Sequence, residues 1–213
     1  MVADATDDAD LLASWLAGEG EAAALAGDRD FGWLCVTGLA RLGALDADGI
    51  DAHLARDTSL QGRLQALTAR AAIPTAPAKA AAWALLAGPG AAGNHERLHT
   101  AHGFWRLPAT LPTAMPATAQ ATAPATPTGP HLDLRPYVAR YCEDLPALTG
   151  SVGESALARL ATAAFPHCLP EPETLARVGV VLADPDLPSA LRRAVVDGQA
   201  DMQSALSSRR RWG

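Results

Sequence analysis

The chain has 213 residues, a formal net charge of −6 at pH 7, and 49% hydrophobic but only 5% aromatic residues. The acidic balance excludes the basic surface on which general nucleic-acid binding depends, so nucleic acid is not an expected partner. Much of the apolar content is alanine, which favours closely packed helices over a sheet core.

Apolar residues recur at helical spacing along most of the chain, separated by capping and turn residues. The first predicted helices span residues 8–17, 28–45, 46–54, 58–72 and 74–86. Asp46 is expected to cap the third of these helices, and Thr58 or Ser59 the fourth. Alanine and leucine dominate the apolar faces, as in helix-on-helix packing.

Asn94 is expected to cap a helix that holds the segment H-E-x-x-H at residues 95–99. This is the sequence form of a zinc protease site. His95 and His99 lie one turn apart and could both reach one metal ion, with Glu96 as the general base for a bound water. A catalytic zinc ion also needs a third protein ligand and a cleft. A small zinc hydrolase is therefore one hypothesis.

Three histidines line up along this helix. His95, His99 and His102 lie beside an apolar stripe that contains Leu98 and Trp105. Histidines at the edge of such a stripe usually lie between core and solvent, and that is the first interpretation. An adventitious metal site without chemistry is the alternative that stays open. No resident metal ion is expected.

Residues 107–131 interrupt the helical pattern. The tract is dominated by alanine, threonine and proline, has no apolar period, and contains prolines too often for a helix. A disordered or extended insertion is the prediction for it. Residues 1–7 are likewise expected to form a flexible N-terminus.

Helices resume after the tract. The predicted spans are residues 133–144, 151–165, 170–183 and 188–208. Ser151, with Glu154 three residues further on, predicts a capping box. About nine helices and no credible strand predict an all-α fold, with the helices stacked as a HEAT-like α-solenoid.

The helix after the tract carries alternating cations and phenols, Arg135, Tyr137, Arg140 and Tyr141. If this helix faces a concave surface, these residues are candidate substrate-binding residues. A guanidinium could then pair with a peptide carboxylate in a two-pronged contact. The alternative is solvated arginines with the tyrosines packed in the core.

Cysteine usage and the N-terminal sequence bear on location. Cys35, Cys142 and Cys168 are odd in number and widely spaced, so neither a disulfide framework nor a cysteine zinc site is expected. The acidic start lacks the regions of a signal peptide, and no apolar stretch is long enough to span a membrane. The expected location is a reducing cytoplasm, without a membrane partner.

Several segments resemble the C-terminal helical domain of actinobacterial aminopeptidase N, a family of zinc aminopeptidases. The most specific element is the pairing of ARDTSLQG at residues 55–62 with ARAAIPTAPAKAAAW at 69–83. Further similar segments are GFW at 103–105, LRPYVARYCEDLP at 134–146, PETL at 172–175 and PSALRRAVVDGQADMQSAL at 188–206. The resemblance runs in order over nearly the whole chain and breaks only at the tract.

The resemblance implies a single HEAT-like domain over residues 1–213 that closes over a separate catalytic domain and encloses its substrate chamber. It implies a peptide substrate and a catalytic domain as partners, no cofactor in this chain, and no catalytic residue of its own. The family's exopeptidase segment G-A-M-E-N is absent, and the family's spacing puts the third zinc ligand at Thr118 rather than at a glutamate. A stand-alone HEAT-like binding or scaffold protein is the alternative.

Overall fold

The computed structural model describes residues 6–90, 92–108 and 132–212. These residues form ten α-helices and one 3-10 helix, Gly20–Leu25, and contain no strand. The α-helices are α1 (Ala9–Leu16), α2 (Arg29–Arg41), α3 (Ala47–Leu54), α4 (Leu60–Ala72), α5 (Ala76–Ala87), α6 (Asn94–Phe104), α7 (Arg135–Ala147), α8 (Glu154–Ala163), α9 (Pro172–Val181) and α10 (Ser189–Trp212). The predicted all-α fold is confirmed. None of the described helices is long and apolar enough to cross a lipid bilayer.

Polar side chains at the helix starts explain why the chain becomes helical where it does. Five residues precede a helix and accept a hydrogen bond from the backbone amide three positions further on, namely Asp8, Asp28, Asp46, Ser59 and Thr75. Each bond satisfies an amide that has no partner within the helix. The predicted cap at Asp46 is confirmed, and Ser59 rather than Thr58 caps α4.

The capping box predicted at Ser151 is wrong. Helix α8 begins at Glu154, after Gly153. The hydroxyl of Ser151 donates to the carbonyl oxygen of Leu148 at 2.8 Å. Oε1 of Glu154 accepts a hydrogen bond from Ser189 at 2.9 Å, which ties α8 to α10. Both side chains therefore serve contacts that a local pattern could not indicate.

The even-numbered helices contact one another in order. α2 packs on α4, α4 on α6, α6 on α8, and α8 on α10, so these five helices form one continuous row. Among the odd-numbered helices, α1, α3 and α5 lie against this row, and α7 packs on α9. Stacked helix pairs would give such an order. The HEAT-like solenoid itself stays a prediction.

The main core extends from α4 to α10. Its largest side chains are those of Trp83, Phe104, Trp105, Tyr141 and Phe165, all of them buried. Two smaller apolar clusters lie under α1 and α2, and between α2, α3 and α4. The aromatic residues are few, but most of them lie in this one core and fill the space that alanine leaves.

Helices α4 and α6 approach each other closely because Gly103 has no side chain. A Cβ at this position would lie 2.0 Å from the carbonyl oxygen of Thr68. The hydroxyl of Thr68 in turn donates to the carbonyl oxygen of His99 at 3.0 Å. The helix that carries the H-E-x-x-H segment thus lies close to the backbone of α4 and is tied to it by the Thr68 side chain.

Arg41 connects α2 to two distant parts of the chain. Its guanidinium donates to the carbonyl oxygen of Thr6 and to Oδ1 of Asp7, both at 2.6 Å, and to the carbonyl oxygen of Leu107 at 3.2 Å. Residues 1–5 and 109–131 lie outside the described residues. The predictions of a flexible N-terminus and of a disordered insertion fall mainly on them.

Candidate functional site

The H-E-x-x-H segment occupies the first turns of α6, and Glu96 closes the helix start. Oε2 of Glu96 accepts a hydrogen bond from the backbone amide of Gly93 at 2.7 Å. Gly93 is the N-cap, so the prediction that Asn94 caps this helix is off by one residue. The carboxylate that a zinc protease would use as a base is here bonded to the helix N-terminus. His95 beside it is exposed.

The next residue, Arg97, organises the loop between α5 and α6. Its side chain is buried although it is charged. The guanidinium donates to backbone carbonyl oxygens of Leu85, Leu86, Gly88, Gly90 and Ala92. Such a set of acceptors offsets the cost of burying the charge. Arg97 thus makes more hydrogen bonds than any other side chain of the H-E-x-x-H segment, although the zinc motif does not specify the residue at its position.

His99 and His102 lie together on α6, half-buried and exposed respectively, with ring centroids 6.1 Å apart. Nδ1 of His99 lies 3.2 Å from the hydroxyl oxygen of Thr68. Burial lowers the pKa of His99, and the neighbouring histidines lower it further. Burial and the charge of Arg106 lower the pKa of His102. Both imidazoles are therefore predominantly neutral at pH 7.

The described part of the chain, residues 6–90, 92–108 and 132–212, contains no group of three or more His, Cys, Asp or Glu side chains that could hold a metal ion. Thr118, at the position of the family's third ligand, lies outside these residues. Glu96 is engaged with the helix start. The geometry thus gives the zinc-hydrolase hypothesis no support.

An open groove of about 500 Å³ lies on the row of even-numbered helices, between α6, α8 and α10. The residues that line it are Leu98, His102, Ala158, Arg159, Thr162, Ala163, Ala190, Arg193, Ala194 and Asp197. Its floor consists mostly of small side chains. Arg193 lies 4.0 Å from Asp197 in an exposed ion pair, which constrains neither side chain strongly.

Arg140, an exposed residue of α7, lies near Tyr137 of the same helix and near the buried Trp83 of α5. The Arg140 guanidinium lies 5.6 Å from the ring centre of Tyr137 and 5.7 Å from that of Trp83, within the range of cation–π attraction. Nε of Arg140 is 3.3 Å from Oδ2 of Asp144, which also accepts a hydrogen bond from the Trp83 indole at 2.7 Å. Asp144 thus contacts both Arg140 and Trp83.

The other two candidate residues on α7 are placed differently. Arg135 binds Asp133 with two nitrogens, at 2.8 and 3.1 Å. Tyr141 is 1% exposed, and its hydroxyl donates to the carbonyl oxygen of Ala161 at 3.1 Å. The structure thus brings only Tyr137 and Arg140 together, and substrate contact of the four residues stays a prediction.

Lys79 is a polar residue in the core that sequence reasoning missed. It is fully buried, and its Nζ donates to the carbonyl oxygens of Ala71 at 2.6 Å and Phe104 at 2.5 Å. These carbonyls belong to the last turns of α4 and α6, where the helix dipole favours a cation. Burial lowers the pKa of Lys79 to about 7. The feature of the sequence that could have drawn attention to Lys79 is its position in the segment at 69–83, which resembles the family.

Two comparisons relate the chain to known proteins. The family model described as ERAP1-like C-terminal domain matches residues 2–204. Aminopeptidase N of Streptomyces lividans is 28% identical over 197 residues, and the match covers 92% of this chain but 20% of the relative. The chain therefore spans about a fifth of the length of that relative.

Proposed function

The chain belongs to the ERAP1-like C-terminal domain family, and on this premise we propose that it is the non-catalytic C-terminal domain of an aminopeptidase N-type zinc metallopeptidase. In that role it encloses the peptide-substrate chamber of a separate zinc catalytic domain. The observation that carries the proposal is the match of 92% of the chain to a C-terminal part of aminopeptidase N. The proposed partners are that catalytic domain and a peptide, and no cofactor is proposed for the chain itself.

The contacts of the H-E-x-x-H segment support a non-catalytic role. Glu96 is bonded to the helix start and Arg97 to the preceding loop, so both side chains have structural partners. His99 is half-buried beside Thr68 on α4. A zinc ion at this helix would need Glu96 to leave the helix start for catalysis and His99 to leave Thr68 for metal ligation.

We place the peptide contact at Arg140 among the four residues predicted on α7. Its Nε is bonded to Asp144, and among the described residues no acceptor is seen for its two terminal nitrogens. Those nitrogens could bind a carboxylate, while the guanidinium lies within cation–π distance of the rings of Trp83 and Tyr137. To bind the peptide, the Arg135 guanidinium would first have to give up its two hydrogen bonds to Asp133.

Tyr141 has a different part in this proposal. Because its ring is buried and its hydroxyl is bonded to Ala161, it would hold α7 against α8 rather than meet a peptide. The HEAT-like stacking, the single domain over residues 1–213 and a cytoplasmic location complete the proposal. The three free cysteines support a reducing location.

The decisive experiment joins this chain to Streptomyces lividans aminopeptidase N from which the matched part has been removed. The truncated enzyme, the fusion and the chain alone are compared on peptides and on a single-residue chromogenic reporter. We expect the fusion to hydrolyse peptides better than the truncated enzyme, and the chain alone to hydrolyse nothing and to hold no stoichiometric zinc. About one zinc per chain with activity lost in His99→Ala would overturn the proposal. A fusion indistinguishable from the truncated enzyme would favour a stand-alone scaffold.

The fusion also tests Arg140. Arg140→Ala should raise KM for peptides several-fold, about 1 kcal/mol of binding, and leave hydrolysis of the chromogenic reporter unchanged. Arg177→Ala, which removes an exposed arginine from α9, is the matched control. Equal peptide KM values in both variants would exclude Arg140 as the contact, and the same comparison with Arg159→Ala would then test the α6–α8–α10 groove.

A further inference from the structure

A cavity of about 240 Å³ lies between α3, α4, α5 and α6. Its floor consists of three buried residues, Ala71, Ala82 and Thr100. Its walls include the larger apolar side chains of Leu67, Ile73 and Leu85. Ala81 also lines the cavity and is exposed, so the cavity opens to solvent. Among the described residues, the lining has none in common with the α6–α8–α10 groove and none from α7, so the cavity is separate from both proposed peptide surfaces.

The chemistry of the lining suits an apolar occupant. Two of the lining residues are polar, and both already have partners. The Arg70 guanidinium donates to Asp51 of α3, and the Thr100 hydroxyl donates to the carbonyl oxygen of Glu96 at 2.8 Å. An apolar side chain that enters the cavity leaves these bonds intact and removes apolar surface from water. Apolar surface that stays open to solvent in this way is typical of a contact site for another protein or domain.

The N-terminal end of the described chain enters the domain beside this cavity. Residues 6 and 7 are bonded to Arg41, the last residue of α2. The turn that follows α2 contacts the loop between α4 and α5, since a Cβ at Gly43 would lie 3.7 Å from Cγ of Pro74. That turn leads into α3, whose first residue, Ala47, is itself part of the cavity lining.

Most of the length of Streptomyces lividans aminopeptidase N lies outside the matched part, since the match covers 20% of it and is in its C-terminal region. In such an enzyme, the preceding polypeptide reaches the domain next to the cavity. We propose that the cavity is a contact site for the catalytic part of the peptidase and receives one bulky apolar side chain from it. A cavity of about 150 Å³ already holds benzene, so about 240 Å³ has room for such a side chain. The identity of this partner rests on the proposed function.

The test compares hydrogen exchange in the isolated chain and in its fusion to the truncated Streptomyces lividans enzyme, measured by mass spectrometry over residues 67–85. We expect exchange in this range to be about threefold or more slower in the fusion, because the contact stabilises the helices around the cavity. Ala81→Leu fills the cavity and Ala81→Asp places a charge in it, so both variant fusions should exchange as the isolated chain does. Ala80→Leu, at an exposed position of α5 outside the lining, is the matched control and should keep the slower exchange.

Equal exchange in the wild-type fusion and the isolated chain would overturn the proposal, as would slow exchange in both Ala81 variants. Urea unfolding of the isolated chains tests whether the cavity is free. Ala81→Leu and Ala80→Leu should be about equally stable because neither position is buried. A much larger loss in Ala81→Leu would show that this chain fills the cavity itself, which also overturns the proposal.

Hydrolysis of peptides by the same fusion separates this contact from the proposed function. Slower exchange over residues 67–85 without a gain in peptide hydrolysis would support the contact and contradict the role in enclosing the substrate. A gain in hydrolysis without slower exchange would support that role and overturn the contact.

Discussion

The indole nitrogen of Trp33 donates to Oδ2 of Asp57 across 3.0 Å, and both residues are buried. This bond joins α2 to the turn before α4. It also lowers the pKa of Asp57, which is further lowered by hydrogen bonds from Ser59. The segment ARDTSLQG, the most specific part of the family resemblance, thus forms a tertiary junction. Its aspartate is an acceptor, its serine caps α4, and Gly62 leaves room for both.

Gly62→Ala should destabilise the protein. A Cβ at this position would lie 2.3 Å from the carbonyl oxygen of Asp57, and the neighbouring backbone cannot move without disturbing the junction. We expect a loss of about 1–3 kcal/mol in the free energy of unfolding, measured by urea titration. Gly32→Ala in α2 is the control, because its Cβ would meet only ordinary contacts at 3.6 Å. That variant should gain about 0.5–1 kcal/mol, and equal effects would contradict the prediction.

Lys79→Met should change how stability depends on pH. Burial lowers the pKa of Lys79 to about 7 in the folded state, whereas the ordinary value is 10.5. Between these pH values the unfolded chain binds more protons, so this lysine makes the wild type more stable as pH rises. The free energy of unfolding of the wild type, minus that of Lys79→Met, should therefore increase from about pH 7 to about pH 9.5. A constant difference would show that the folded state keeps the ordinary pKa.

Glu96→Ala separates the capping role from the catalytic one. Loss of the hydrogen bond to Gly93 should cost about 0.5–1 kcal/mol of stability, because the amide of the N-cap residue loses its partner. Peptide hydrolysis by the fusion with the truncated aminopeptidase should stay unchanged. His95→Ala at the neighbouring exposed position should leave both quantities near the wild-type values. Loss of hydrolysis in Glu96→Ala with unchanged stability would point back to a zinc site.

His99→Gln should reduce the loss of stability in acid. The pKa of His99 is lowered, mainly by burial and then by His102 and His95, so the unfolded chain binds protons more readily. This histidine therefore favours folding above its unfolded pKa of about 6.5, and that contribution disappears as pH falls. Urea unfolding at about pH 7.5 and about pH 5.5 should give a smaller difference for His99→Gln than for wild type. His102→Gln should act in the same direction, and an unchanged difference in both would contradict the prediction.

Helix existence could be predicted well because it depends on local chemistry. Asp46 and Ser59 stand before apolar runs, and a short polar side chain there can reach the amide three residues on. Ser151 has the same local appearance but bonds back to Leu148, and Glu154 reaches Ser189 on α10. Contacts between residues far apart in sequence decide such cases, and no window of sequence contains them.

The candidate residues on α7 illustrate the same limit. The sequence predicted that all four lie on one helix, but its amphipathic pattern did not indicate which of the four side chains would contact other parts of the chain. Tyr141 packs in the core and donates to Ala161, whereas Arg140 contacts Trp83 of α5 and Asp144 of its own helix. Lys79 is the extreme case. A charged residue between alanines is predicted to lie at the surface, but here it is buried because its Nζ binds carbonyl oxygens at the ends of α4 and α6.

Lys79 is also the only lysine in the sequence. Because its amine is sealed between α4 and α6, acylating reagents and enzymes that conjugate proteins through lysine find no lysine target on the folded chain. Modification of Lys79 by such a reagent then measures how often the core opens, as hydrogen exchange does for amides. In a cell the same residue would make lysine-directed tagging selective for molecules that have lost their fold.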